Sequence, residues 1–225
     1  MKAVLFDLDD TLYPESEFIR SGMRSVARHL ASRKFGNEHE LESRMLEILE
    51  RDGRGRVFDT LLEERGVESP DLVSMLLLVY RTHEPAIQLY GDVLPAFRRL
   101  RTMRIRLGLI TDGMGSVQRR KIAALGLESW LEAIVCTDEL GPGHEKPSPL
   151  PYRLALDLLE VKARDCMYVG NDPKKDFAGA RSISLMTVCI NRQPDKGGTP
   201  LGPSEGADTI IGTLDEIATL VEARP

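Results

Sequence analysis

Apolar positions follow two rhythms along this chain. Lys2 to Leu8 ("KAVLFDL") is a near-continuous apolar run with β-branched and aromatic content, which predicts a buried strand. The next eighty residues change to the helical period. In "ESEFIRSGMRSVARHLASRKFG", Phe18, Ile19, Met23, Val26, Ala27 and Leu30 share one face, and "EHELESRMLEILERDG" repeats the pattern with Leu41, Met45, Leu46 and Leu49. "RVFDTLLEERG" and "SPDLVSMLLLVYRTH" predict two more helices, with Gly36, Gly53, Gly66 and Pro70 as punctuation. No strand pattern occurs in this block.

After Tyr90 helices and strands alternate. The predicted strands are "RLGLITD", "AIVCTDE", "CMYVGND", "LMTVCIN" and a short one in "DTIIG". The helices between and after them are "DVLPAFRRLRTM", "SVQRRKIAALGL", "SPLPYRLALDLLEV", "KKDFAGARSI" and a last one in "LDEIATLVE". The Pro- and Gly-rich stretch Asn191 to Gly206 predicts an exposed loop. Such alternation implies βαβ units and a parallel sheet covered on both faces. The expected fold class is therefore α/β, a Rossmann-like parallel-sheet core with an inserted all-helical domain. The expected domains are 1–13 with 91–225 for the core, and 14–90 for the insert.

Composition narrows the function classes. A net charge of −5 argues against a nucleic-acid surface, and the Arg-rich run Arg98 to Arg106 reads as a solvated face. "MLLLVY" (Met75 to Tyr80) is too short to span a bilayer, and the apolar run near Met1 is too short for a signal-peptide core. Cys136, Cys166 and Cys189 lie in separate apolar segments, as buried thiols of a reducing cytoplasm would. No exposed apolar seam is apparent, so a monomer or weak homodimer is expected. Histidines 29, 39, 83 and 144 are scattered and predict no ligand set.

The chemistry gathers at the predicted strand tips. They carry "DLDDT", "TDGMGS", "DELGPGHEKPSP" and "GNDPKKD". In an open parallel sheet these tips share one crevice, which brings together Asp7, Asp9, Thr111, Asp112, Lys146, Asn171, Asp172 and Asp176. Several carboxylates sharing a crevice need a counter-charge, and oxygen donors without a His or Cys cluster point to Mg²⁺. Thr111, the Gly113–Gly115 backbone before a helix, and Lys146 suit a phosphoryl group. Asp7 is a candidate nucleophile for an aspartyl-phosphate. Asp9, two residues on along an extended segment, would point to the same side and serve as general acid and base. Asp10 and Asp112 also fit turn or capping duties.

These motifs, in this order, resemble the haloacid dehalogenase superfamily in its capped phosphatase branch. "DLDDT" is similar to its D-x-D-x-T nucleophile loop, Leu109–Thr111 to its strand ending in Thr or Ser, "EKPSP" to its lysine motif, and "GNDPKKD" to its acidic motif. The resemblance implies Asp7 as nucleophile and metal ligand, Asp9 as acid/base with its carbonyl on the metal, and Thr111 and Lys146 on the phosphate. It implies a helical cap in the insert. Asn171 departs from the family, which usually has Asp directly after the glycine. Either Asn171 binds the metal with Asp172 in support, or Asp172 is the ligand; a carboxylate suits Mg²⁺ better, which favours Asp172. Asp176 would orient Lys146 or a metal-bound water. Tyr13, Phe18, Arg20, Arg24, Arg54 and Arg81 read as packing or solvated face before substrate contacts.

The expected function is a Mg²⁺-dependent phosphatase for a small phosphomonoester, a sugar phosphate or nucleoside monophosphate. The alternatives are a phosphomutase using the same residues, or a non-catalytic binding domain on this scaffold. Dehalogenation is disfavoured because that branch lacks the second Asp.

Overall fold

The first apolar run forms strand β1 (Ala3–Phe6), all four residues fully buried. It ends two residues earlier than its apolar pattern predicts. The Leu8 carbonyl accepts the N–H groups of Thr11 and Leu12, and Asp10 turns at φ 57°. The turn thus begins beyond the strand, and Asp9 stays near enough to Asp7 for its charge to act on that carboxyl. The computed structural model describes residues 1–192 and 206–223. Most of the predicted Asn191–Gly206 loop lies outside the described residues.

Five more strands follow: β2 (Arg106–Thr111), β3 (Ala133–Cys136), β4 (Cys166–Gly170), β5 (Met186–Ile190) and β6 (Thr209–Ile211). They pair in parallel in the order β3-β2-β1-β4-β5-β6. Phe6 stands level with Leu109 on one side and Val169 on the other. This is the α/β parallel-sheet class expected. β1, β4 and β5 are buried along their whole length, as strands covered on both faces must be.

The described chain divides into two compact units, Glu15–Ile87 and the remainder. The first holds four helices, α1 (Glu15–Ser32), α2 (Glu38–Asp52), α3 (Val57–Glu63) and α4 (Pro70–Thr82). Asn37 caps α2 by accepting from the His39 and Glu40 N–H groups, and Ser69 caps α4, with Pro70 in its first turn. Met23, Val26, Leu30, Leu41, Met45, Phe58, Leu61 and Leu76 form a core of its own. Arg24 pairs with Glu42 and Arg54 with Glu15, while Phe18 packs on Tyr80 and His83.

In the sheet unit the helices are α5 (Val93–Thr102), α6 (Gly115–Ala124), α7 (Leu150–Leu158), α8 (Ala178–Ser182) and α9 (Glu216–Glu222). α8 is shorter than its sequence pattern, because Lys174 and Asp176 are drawn into a turn on Asp172. Arg192, just past β5, donates to the Thr11 carbonyl, pairs with Asp92 at 2.6 Å and stacks over Tyr90, tying three loops of this unit.

Gly179 lets α8 approach the loop that carries Lys146. A Cβ there would sit 2.0 Å from the Pro147 carbonyl oxygen, a backbone atom that cannot step aside alone. Gly179→Ala is expected to cost about 1–3 kcal/mol by overpacking and to lower Tm by roughly 5 °C. A melting curve within about 1 °C of wild type would show that the two segments part freely.

Candidate active site

The strand order reverses between β1 and β4, with β2 and β3 on one side of β1 and β5 and β6 beyond β4. Asp7 directly follows β1 and Asn171 directly follows β4, so both stand at the switch point where ligands bind in such sheets. The Thr11 hydroxyl lies 3.2 Å from Asp7 Oδ2 and 3.3 Å from Asn171 Oδ1. Asp172 turns elsewhere. Its carboxylate accepts the Lys174 N–H at 3.0 Å and faces Lys175. Of the two residues that the sequence offers as ligand, Asn171 is the one that shares the Thr11 hydroxyl with Asp7.

Lys146 lies just before α7 and is buried. Its ammonium donates to Asp7 Oδ1 at 2.5 Å, Asp176 Oδ1 at 2.7 Å and the Tyr168 hydroxyl at 3.0 Å. Asp176 is fully buried, and its second oxygen accepts the Asp172 N–H at 2.8 Å. One cation therefore serves two buried carboxylates. Burial raises the Asp7 carboxyl from its ordinary 3.8 to about 7, because Lys146 offsets the cost only in part and Asp176 adds to it. Burial opposes the charge on Lys146, but the flanking carboxylates outweigh it and hold its pKa above the ordinary value.

Asp9 has a separate set of partners. Oδ1 accepts from the Tyr13 hydroxyl at 2.5 Å and the Lys121 ammonium at 2.7 Å, and Oδ2 accepts from Gln118 Nε2 at 2.9 Å. Burial pushes this carboxyl up, but Lys121, Tyr13 and Gln118 together hold it below the ordinary value. Gln118 Nε2 also meets the Thr111 hydroxyl at 2.5 Å. The sequence reading missed Gln118 and Lys121. The signal was there: both sit on the buried face of α6 with Ile122, where an amphipathic helix would carry apolar residues.

Asp112 braces the neighbouring loops. Its Oδ1 accepts from the Thr137 hydroxyl at 2.8 Å and the Lys146 N–H at 3.1 Å. Gly113 adopts φ +106°, a conformation that favours glycine. The Gly115 N–H at the start of α6 is already donated to Asp138, at 2.8 Å, so this helix terminus does not offer that group to an anion. Burial pushes the Cys136 thiol up to about 11 and the Cys166 thiol to about 12, so neither is an activated nucleophile.

Among the described residues no three His, Cys, Asp or Glu side chains converge as a metal cluster. The Asp7 carboxylate, buried and not fully compensated by its lysine, and the Asn171 amide oxygen share the Thr11 hydroxyl. That donor set fits Mg²⁺, which takes one or two carboxylates and keeps several waters. It does not fit zinc.

A family model described as haloacid dehalogenase-like hydrolase matches residues 1–183. A glyceraldehyde 3-phosphate phosphatase of Methanopyrus kandleri is 34% identical over 228 residues, covering 98% of this chain and 97% of that one. The crystal structure of a HAD phosphatase from Thermococcus onnurineus is 28% identical, with TM-score 0.64 and 98% of each chain covered. That of a 2-haloacid dehalogenase from Pseudomonas syringae pv. Tomato DC3000 is 26% identical, with TM-score 0.68, covering 100% of this chain and 99% of that one. With a family model matching four fifths of its length, and with its acidic, hydroxyl and lysine groups gathered at the tips of a parallel sheet, this chain belongs to the haloacid dehalogenase-like hydrolases.

Proposed function

We propose that this hydrolase is a Mg²⁺-dependent phosphatase of a small phosphomonoester, acting through an aspartyl-phosphate on Asp7. The observation that carries the reading is the shared ammonium: Lys146 bridges Asp7 and Asp176 beside Asn171 at the switch point. An Asp7 oxygen attacks phosphorus, and the bond to the leaving oxygen breaks as Asp9 gives that oxygen a proton, taken up from solvent when the phosphate's charge beside it opposes the pull of Lys121. Asp9 then takes a proton from water as the water oxygen bonds phosphorus, the bond to Asp7 breaks and phosphate departs. Thr111, Lys146 and the Gly113 N–H hold phosphoryl oxygens in this reading, and Asp112 braces their loops. Asp7, Asn171 and the Asp9 carbonyl would hold the cation, which supplies charge stabilisation for the phosphoryl oxygens. Asp172 and Asp176 support that set.

The relative from Methanopyrus kandleri makes a sugar phosphate the leading substrate class, with glyceraldehyde 3-phosphate the first compound to assay. Nucleoside monophosphates come second. The inserted helical unit takes the substrate-selecting role of a cap in this reading. Loss of halide needs no general acid, so Asp9 would have no leaving-group duty in a dehalogenase. All the named groups come from one chain, so no partner subunit is required. Among the described residues no helix is long and apolar enough to cross a membrane.

The test is phosphate release from a panel of phosphorylated metabolites, with Mg²⁺ and with chelator. Metal-dependent turnover of one or two compounds is expected; silence from folded protein across the panel would sink the reading. Stability offers a second check. The Asp7 carboxyl rises from 3.8 to about 7 on folding, so the metal-free protein holds more protons than the unfolded chain between those values. Its contribution to stability is lost as pH rises through about 7. A bound cation favours the ionised form and offsets that loss. Mg²⁺ should therefore raise Tm more at pH 8 than at pH 6, and equal shifts would count against Asp7 as a ligand.

A further inference from the structure

Two buried polar side chains on α6 have no duty in the scheme above. Gln118 and Lys121 are 2% and 4% exposed, one turn apart. A lysine on a buried helix face is costly unless it is paired, and an apolar residue would pack there without that cost. Lys121 meets Asp9 Oδ1 at 2.7 Å. Gln118 does two things with one nitrogen. It donates to Asp9 Oδ2 at 2.9 Å and to Thr111 Oγ1 at 2.5 Å.

The orientation of that amide follows from chemistry. The Asp9 carboxylate only accepts, so the Gln118 atom facing it is the NH₂ nitrogen. The same nitrogen then fills an acceptor site on the Thr111 hydroxyl, whose own proton is left to be donated. Within the protein that proton faces the Asp112 carbonyl at 3.5 Å, a long contact. A phosphoryl oxygen would be the better acceptor.

We infer that Gln118 and Lys121 are positioning residues, which fix the Asp9 carboxylate at a set distance from the Thr111 hydroxyl and turn that hydroxyl into a donor. The inference rests on the phosphatase reading and deepens it. Lys121 and Tyr13 hold one Asp9 oxygen from two directions while Gln118 holds the other, so the carboxylate has one orientation. Asp9 lies in the turn after β1 and Thr111 ends β2, and α6 joins these otherwise separate loops through a single amide. The proton-transfer group and the phosphate-holding group thereby move as one piece.

The experiment compares wild type, Lys121→Met, Lys121→Arg and Gln118→Leu on two substrates in Mg²⁺. One is the alkyl phosphomonoester that wild type turns over best. The other is p-nitrophenyl phosphate, whose leaving group departs without a proton, followed by rapid mixing. Lys121→Met is expected to lower kcat on the alkyl ester by about 100-fold, the scale of a misplaced catalytic group, with KM within about threefold. On the aryl ester it should keep the first-turnover burst of p-nitrophenolate and lose the steady state, because phosphoryl transfer to Asp7 survives while activation of water by Asp9 does not. Lys121→Arg should recover part of kcat. Gln118→Leu removes no charge and carries the same test if Lys121→Met does not fold; it should also raise KM, since Thr111 loses its orientation.

Variants with kcat within about threefold of wild type on the alkyl ester would overturn the inference, as would equal loss of burst and steady state. An inactive wild type would instead strike at the phosphatase reading, so the two failures are distinguishable.

Discussion

Asp7→Asn should abolish turnover while leaving a protein at least as stable as wild type. An amide cannot attack phosphorus, so kcat is expected to fall by about 10⁴-fold or more. The stability half of the prediction comes from the charges. In wild type one ammonium serves two buried carboxylates, Asp7 and Asp176. The substitution removes one buried charge whose ionisation is already opposed by burial. Lys146 then belongs to Asp176 alone, so Tm should hold or rise. Acid-quenched mass spectrometry of wild type during turnover should find phosphate on the peptide that contains Asp7, and none in the variant. Residual activity above about 1% of wild type would mean that another group attacks phosphorus. A large drop in Tm would mean that the Asp7 charge is needed to hold Lys146.

The order of strands and helices was legible because each element buries a face with its own period. β1, β4 and β5 are continuous apolar runs, and α1, α2 and α5 keep apolar residues at helical spacing. The parallel sheet follows from the alternation, and the sheet decides which loops share a crevice. What did not follow is where individual side chains turn within those loops. Asp172 looked the better cation ligand by its chemistry, yet at the start of a turn its carboxylate caps the Lys174 N–H, while Asn171 shares the Thr11 hydroxyl with Asp7. The turn at Asp10, just past the two aspartates, was not legible in the apolar pattern either. Gln118 and Lys121 escaped notice because polar residues on a helix are ordinarily solvated; only their register with Ile122 marks them as buried. Elements are set by averaged hydrophobic periodicity, whereas a site depends on hydrogen bonds a residue or two apart, which periodicity does not encode.

Lys146→Met should be the most damaging single substitution in the sheet unit, and its cost should depend on pH in a definite direction. Methionine fills much the same volume, so little cavity forms. What is lost is the only charge among the described residues that meets both Asp7 Oδ1 and Asp176 Oδ1, together with a hydrogen bond to Tyr168. Removing one partner from a buried ion pair costs about 3–5 kcal/mol, or roughly 10 °C in Tm for a chain of this length. Without the ammonium the Asp7 carboxyl, already raised by burial, is driven further towards the protonated form. The variant then keeps its stability in acid below the unfolded carboxyl value, and loses it as pH climbs towards the raised folded value of Asp7. The gap between wild type and Lys146→Met in urea denaturation should therefore be larger near pH 8, above the wild-type Asp7 value, than near pH 5. Adding Asp176→Asn to the variant should recover part of the loss at pH 8, because one of the two stranded charges is gone. A gap of equal size at both pH values, or a double variant no better than the single one, would mean that Lys146 stabilises the fold by packing and not by charge. Its place between the two carboxylates would then say nothing about how Asp7 is kept ready to attack.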